Sequence, residues 1–198
     1  MERYGTALIF GAPGSGKGTQ GKILGKIPGY FHCACGDVFR SLDPASDLGA
    51  KFLEYSSKGQ LVPDEITVEL WHEAIRRTVE AGKFKPERDL LILDGIPRNV
   101  AQAELMERHI EVRRVFHLSC PDRDKLVARL KKRALRDNRL DDANEEVIRH
   151  RLSTYDSESK PMLGHYAGVK RHDIDASMTP LNVLHGILRG LLEEEALT

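Results

Sequence analysis

A glycine-rich loop between a strand and a helix near the N-terminus constrains the fold most strongly. The apolar run Thr6–Phe10 predicts a buried strand, and the decapeptide GAPGSGKGTQ, Gly11 to Gln20, follows it at once. Its glycines at 11, 14, 16 and 18 allow positive φ and close backbone approach, and the next helix directs its positive end into the loop. We therefore predict a polyphosphate site here, with Lys17 reaching the outer phosphates.

The loop departs at one position from the general pattern G-x-x-x-x-G-K-[ST]. Gly18 follows Lys17 where Ser or Thr is usual, and the first hydroxyl arrives at Thr19. A plain glycine-rich turn with a solvated lysine is the alternative interpretation. The combination of strand, spacing and lysine favours the phosphate site.

Short apolar runs alternate with longer amphipathic stretches along the rest of the chain. This alternation is typical of a doubly wound α/β domain with a parallel sheet and right-handed crossovers. The predicted strands are Thr6–Phe10, Phe31–Cys33, Leu90–Asp94, Val112–Ser119 and Val169–Asp175. The predicted helices are Gly16–Leu24, Val38–Arg40, Leu48–Lys58, Glu65–Ala81, Ala101–Arg108, Arg123–Leu135, Glu145–Leu163 and Pro180–Glu194.

Length and composition bound the function classes. A chain of 198 residues suits a single domain, which we place at 1–198, and 30 basic against 30 acidic residues give a net charge of zero. We expect neither a nucleic-acid nor a membrane partner, since no global field or apolar span favours one. Three cysteines without a metal-ligand or disulfide pattern, and a strand that leaves no room for a signal peptide, predict a cytoplasmic protein.

Two further motifs extend the loop into a larger resemblance. Cys35-Gly-Asp-Val-Phe-Arg40 follows the second strand, and Leu93-Asp-Gly-Ile-Pro-Arg98 ends the third strand four residues before Gln102. With the loop, they resemble the nucleoside monophosphate kinases and specifically the adenylate kinases, in which Gly-Thr after the lysine is the normal spelling. The resemblance runs from about Ala7 to Val183. It implies a P-loop fold with a five-stranded parallel sheet, the reaction MgATP + AMP ⇌ 2 ADP, the small-molecule partners ATP, AMP and ADP, and a monomer.

The resemblance implies an acceptor pocket in which Arg40 and Arg98 hold the phosphate of AMP, because planar guanidinium groups donate paired hydrogen bonds. The Gln102 amide presents a donor beside an acceptor and can match the edge of adenine. The segment Gly59–Asp64 resembles G-x-L-V-P-D, whose backbone lines the base. The predicted AMP-binding residues are Cys35, Gly36, Arg40, Leu61, Val62, Gly95, Arg98, Gln102, Arg139 and Arg151.

An arginine series and a late loop complete the predicted site. Arg129 and Arg133 lie four residues apart on one helical face, and phosphoryl transfer needs positive charge fixed between two polyanions. The resemblance places Lys17, Arg98, Arg133, Arg139 and Arg151 in catalysis. It places ATP on Gly14, Ser15, Gly16, Lys17, Gly18, Thr19, Arg129, Ser177 and Met178. It places Mg²⁺ on Asp94 through water, with Thr19 as a candidate second contact.

The resemblance also divides the chain into subregions and leaves alternatives. Residues 36–65 are the predicted AMP-binding subregion. Residues 134–142 are the predicted short lid, which holds neither Cys nor His and therefore predicts no zinc site. Cys35 stands where Thr is usual, which leaves a UMP/CMP kinase open, although Gln102 opposes it. A non-catalytic adenine-nucleotide sensor is the rival class, and the full arginine set argues against it.

Overall fold

Parallel strands with the glycine-rich loop at their centre organise the molecule. The computed structural model describes residues 3–43, 45–47, 49–51, 54, 62–137, 142 and 144–195, with the backbone alone at 40, 194 and 195. Within these ranges one sheet contains β1 Tyr4–Gly11, β2 Tyr30–Ala34, β3 Leu90–Asp94, β4 Ile110–Ser119 and β5 Arg171–Asp175. Its order is β2-β3-β1-β4-β5, and every paired strand is parallel. The predicted α/β class and the predicted strands are confirmed.

The helices connect these strands. Their bounds are α1 Lys17–Leu24, α2 Cys35–Arg40, α3 Asp64–Glu80, α4 Val100–Met106, α5 Arg123–Asp137, α6 Glu145–Thr154, α7 Met162–His165 and α8 Pro180–Glu195. The helix predicted over Glu145–Leu163 is confirmed for most of its length, but it is not one continuous α-helix. α6 gives way to a π-helical turn at Tyr155–Ser159, and Pro161, which has no backbone N–H, separates that turn from α7. No helix in the ranges above is long and apolar enough to span a membrane.

The predicted helix Leu48–Lys58 falls largely outside the described residues. The assignments of 36–65 to AMP binding and of 134–142 to a lid remain predictions. Within the second of these ranges, α5 continues as helix to Asp137.

Alternation along β1 explains why helices cover both faces of the sheet. Ala7 and Ile9 belong to one apolar core, whereas Leu8 and Phe10 belong to the other. Burying a large apolar side chain stabilises the fold by about 1.5–3 kcal/mol, so a strand apolar on both faces needs cover on each side. Because β1, β2 and β3 are parallel, their carboxyl ends meet at one edge of the sheet, where ligands bind in open α/β folds.

Candidate functional site

The loop after β1 has a backbone that only glycine adopts easily. Gly14 and Gly16 have φ of 83° and 98°, and a Cβ on Gly14 would lie 3.0 Å from the backbone oxygen of Leu126. Ser15 N–H donates to the carbonyl of Ala12 at 3.1 Å. This turn, followed by the first N–H groups of α1, is the geometry that binds phosphate oxygens.

The Lys17 side chain lies along this loop. Its Nζ donates to the carbonyls of Gly11 at 2.6 Å and Ala12 at 3.2 Å. An ammonium held by neutral carbonyls can exchange them for phosphate oxygens, which bind a cation more strongly. The predicted position of Lys17 at the phosphate site therefore fits its contacts.

Charged groups from three other parts of the chain act on this ammonium. Burial lowers the pKa of Lys17, Asp94 opposes that shift, and repulsion from Arg133, Arg151 and Arg98 lowers the pKa further. Such effects require proximity in a medium of low dielectric constant. Lys17 and these predicted catalytic arginines therefore converge on one region. The predicted Arg139 lies outside the described residues.

Gly18 brings α1 close to the end of β3. Gly18 lies within α1 and is not among the glycines with positive φ, so of the two properties predicted for the loop glycines it shows only the close approach. A Cβ on Gly18 would instead lie 3.5 Å from Oδ2 of Asp94. A Cβ at that distance would make an ordinary van der Waals contact, so Gly18 marks where α1 passes beside this carboxylate.

Asp94 has the properties expected of a partner for hydrated magnesium. Its side chain is 8% exposed, and burial raises its pKa while Lys17 opposes that shift. Carboxylate oxygens are the ligands that a hard cation such as Mg²⁺ prefers. Thr19, the candidate second contact, has an exposed side chain one residue beyond Gly18.

The predicted ATP-binding residues outside the loop lie where α5 contacts the segment just after β5. Arg129 Nη1 donates to the carbonyl of Ala176 at 2.7 Å, and Met178, two residues on, is 48% exposed. Lys125 Nζ donates to the carbonyl of Ser177 at 2.8 Å. Sequence reasoning missed Lys125, although it lies four residues before Arg129 on the same face of α5.

Several of the predicted acceptor residues meet at the ends of β2 and β3. Cys35 is fully buried, burial raises its pKa, and its Cβ lies 3.7 Å from where a Cβ on Gly95 would be. Arg98 Nε donates to the carbonyl of Gly95 at 3.0 Å, and Arg98 N–H donates to Gln102 Oε1 at 2.8 Å. Four predicted AMP-binding residues therefore form one cluster.

Only some of the other predicted AMP contacts lie within the described residues. Gly36 follows Cys35 in α2, and Val62 is half-buried just before α3. Leu61 and the side chain of Arg40 lie outside the described residues.

A buried carboxylate joins two of the predicted catalytic arginines. Asp142 is completely buried, and its Oδ2 accepts from Arg133 Nε at 2.7 Å and Nη2 at 2.6 Å. Its Oδ1 accepts from Arg151 Nη1 at 2.5 Å. A carboxylate presents the same kind of acceptor oxygens as a phosphoryl group. Asp142 thus holds α5 and α6 in a geometry suited to an anion.

Two further residues were missed as site residues by sequence reasoning. Asp64 accepts from Gln102 Nε2 at 2.7 Å, and Ser159 Oγ donates to the carbonyl of Arg98 at 2.7 Å. Asp64 precedes Gln102 by 38 residues and Ser159 follows Arg98 by 61 residues. No local spacing reveals such contacts, although the final Asp of the G-x-L-V-P-D match pointed to Asp64.

Comparison with known proteins adds an independent line of evidence. A protein-family model described as adenylate kinase matches residues 9–171. A protein of Kocuria rhizophila named adenylate kinase is 38% identical over 80% of this chain and 83% of its own length. Those of Bacteroides thetaiotaomicron and Porphyromonas gingivalis are each 35% identical, over 94% and 96% of this chain and 95% and 91% of their own lengths. Together with the loop, the arginine cluster and the sheet, these matches show that the chain belongs to the adenylate kinase family.

Proposed function

We propose that this chain catalyses the reversible transfer of the terminal phosphoryl group of MgATP to AMP, which yields two ADP. The observation that carries the proposal is that Arg133 of α5 and Arg151 of α6 meet on one buried carboxylate, while their charges and that of Arg98 act on the Lys17 ammonium. Phosphoryl transfer gathers negative charge between two polyanions, and catalysis of it comes mainly from positioning and fixed positive charge. No side chain needs to act as a nucleophile.

The residues then divide into donor, acceptor and transfer roles. Lys17 and the loop residues Gly14, Ser15, Gly16, Gly18 and Thr19 bind the donor phosphates, while Arg129, Ser177 and Met178 border its base. Arg98, with Arg40, holds the acceptor phosphate. Arg133 and Arg151 act on the group in transit, and Asp142 keeps their guanidinium groups aligned before the substrates arrive. Arg139 belongs to the same set by the family pattern.

Asp94 is the proposed carboxylate for magnesium, through its water shell. Bound magnesium neutralises charge on the β- and γ-phosphates. The buried Asp94 carboxylate lies beside the backbone of α1 at Gly18, which supports this assignment. We assign no direct contact with magnesium to the exposed hydroxyl of Thr19.

The acceptor base is adenine in this proposal. Gln102 supports it because an amide can match the donor and acceptor of the adenine edge, and because Gln102 lies in one cluster with Gly95 and Arg98. The Cys35 thiol is a weaker hydrogen-bonding group than the hydroxyl of the usual Thr, so Cys35 offers the base less polar contact at this position. A CMP or UMP kinase is the specific alternative to be tested.

The discriminating experiment supplies MgATP with AMP, CMP, UMP or GMP in parallel and follows ADP formation. We expect transfer to AMP with a kcat/KM at least a hundredfold above the other acceptors, on the order of what a few specific hydrogen bonds provide. Preference for CMP or UMP contradicts the adenylate assignment. Binding of ATP and AMP without transfer to any acceptor identifies a nucleotide sensor instead.

We also propose a cytoplasmic monomer. All three cysteines are free and buried, which suits a reducing compartment and makes thiol-mediated association unfavourable. Size-exclusion chromatography with light scattering, at several protein concentrations, tests the monomer. A mass of twice 22.2 kDa contradicts it.

A further inference from the structure

We infer that Asp64 is a positioning residue that fixes the orientation of the Gln102 amide and thereby sets which purine the acceptor pocket accepts. The inference rests on the proposed function, because it assumes that Gln102 faces the acceptor base. Asp64 contacts Gln102 and not the substrate. It acts through the amide that it holds.

The two ends of the Gln102 amide have different partners. Nε2 donates to Oδ1 of Asp64 at 2.7 Å, and Oε1 accepts from the backbone N–H of Arg98 at 2.8 Å. An ionised carboxylate can only accept a hydrogen bond, and a backbone N–H can only donate one. The chemistry of these partners therefore decides which end of the amide is nitrogen and which is oxygen.

Asp64 is itself held in place. Asn99 Nδ2 lies 3.3 Å from Oδ1 and 3.2 Å from Oδ2 of Asp64, while Asn99 Oδ1 caps α4 by accepting from the Gln102 N–H at 2.8 Å. Asp64 opens α3, where the positive end of the helix favours a carboxylate. The beginnings of α3 and α4 are thus joined around one buried amide, because Gln102 is only 5% exposed.

A fixed amide distinguishes two purines that differ in one functional group. After its internal hydrogen bonds, Gln102 retains one N–H and one oxygen lone pair for a base. Adenine offers a donor at position 6 and an acceptor at N1, whereas hypoxanthine, the base of IMP, offers an acceptor and a donor at the same positions. An amide that was free to rotate by 180° would match either base.

Rotation of Gln102 is blocked on both sides. A flipped amide would place Oε1 against the Asp64 carboxylate and Nε2 against the Arg98 N–H, so that two buried contacts would become acceptor to acceptor and donor to donor. Leaving buried polar groups unpaired is costly, and the cost is larger when one of them is charged. The wild-type pocket therefore retains the adenine arrangement and rejects IMP.

The test compares kcat/KM for AMP and IMP in the wild type, Asp64→Asn and the control Glu65→Gln. The amide introduced by Asp64→Asn can turn its own N–H toward a flipped Gln102, which removes one of the two penalties. We expect the AMP:IMP ratio to fall at least about tenfold in Asp64→Asn, the effect of roughly one hydrogen bond. Glu65 is exposed on the same helical turn, so its variant removes the same charge and should keep the wild-type ratio. A purely structural defect would lower both rates and leave the ratio unchanged.

A second variant covers poor folding of the first. Asn99→Ser retains a helix cap and removes the amide that holds Asp64, so we expect a fall in the ratio of about threefold. Unchanged ratios in both variants would overturn the inference while leaving the proposed function intact. If the wild type transfers nothing to AMP, the proposed function fails and this inference fails with it.

Discussion

Replacing Asp142 with alanine removes the carboxylate that Arg133 and Arg151, the two arginines proposed to act on the phosphoryl group, share. The side chain is completely buried, and it accepts from two nitrogens of Arg133 and one of Arg151 at 2.5–2.7 Å. A hydrogen bond to a charged group contributes about 1.5–3 kcal/mol net to stability, but contributions that share one carboxylate are not additive. The variant therefore tests how far this contact stabilises the fold as well as the site.

The net effect is smaller than the sum of these contacts. Removing one partner of a buried ion pair costs about 3–5 kcal/mol, because a charge is left in a poorly solvated place. Here the side chains of Arg133 and Arg151 are 27% and 33% exposed, so water solvates them in part when the carboxylate is gone. We expect Asp142→Ala to lower the free energy of unfolding by about 2–3 kcal/mol, at or just below the lower end of that range.

Urea unfolding followed by circular dichroism measures this difference at pH 7. Glu80→Ala is the matched control, because Glu80 also pairs with an arginine but on the surface, where such a pair adds little. Saturating ADP should raise the Tm of Asp142→Ala more than that of the wild type, since its phosphates replace the lost carboxylate. A variant as stable as the control would refute the energetic reasoning, and an equal effect of ADP would refute the placement of these arginines at the phosphate site.

Three further changes have expected outcomes. Arg98→Ala should lower turnover with AMP about a hundredfold and leave the Kd for ATP within about twofold; an unchanged rate removes Arg98 from the acceptor site. Burial and the ring of His72, stacked at 3.9 Å, lower the pKa of His109 from 6.5 to about 4. The imidazole of His109 therefore binds a proton at a higher pH in the unfolded chain than in the folded protein. As a result, the free energy of unfolding falls as the pH is lowered from 6.5 to 4. Over that pH range, the free energy of unfolding of His109→Gln should fall by about 1 kcal/mol less than that of the wild type, as measured by urea titration. Equal losses in the two proteins would contradict the lowered pKa of His109. In α8, a Cβ on Gly190 would lie 2.6 Å from a buried phenylalanine, against a nearest distance of 3.3 Å for Gly186. Gly190→Ala should therefore lower stability by about 1–2 kcal/mol and Gly186→Ala by less than half of that; the reverse order in thermal unfolding contradicts the packing argument.

Local patterns predicted the sheet and the loop well. The strand Leu90–Asp94 was predicted with the bounds that the structure shows, because a short apolar run followed by Gly95 leaves few alternatives. The glycines at 14 and 16 have the positive φ that the loop requires, since the steric limits of other residues act within a few bonds. The helix predicted from Glu145 to Leu163 contains a π-helical turn in the structure, because apolar periodicity does not reveal such a turn or the long-range contacts of its residues. One of these contacts runs from Ser159 to the carbonyl of Arg98.

The sequence by itself determined the α/β class, the phosphate loop and the identity of the cationic residues. These properties depend on residue type, on periodicity and on motifs whose members lie close together in the chain. The tertiary structure alone decided that Gly18 approaches Asp94, that Asp142 joins two arginines, and that Asp64 orients the amide of Gln102. The physical reason is that hydrogen bonds and ion pairs form wherever folding brings donors and acceptors within about 3 Å, whatever their separation in the chain.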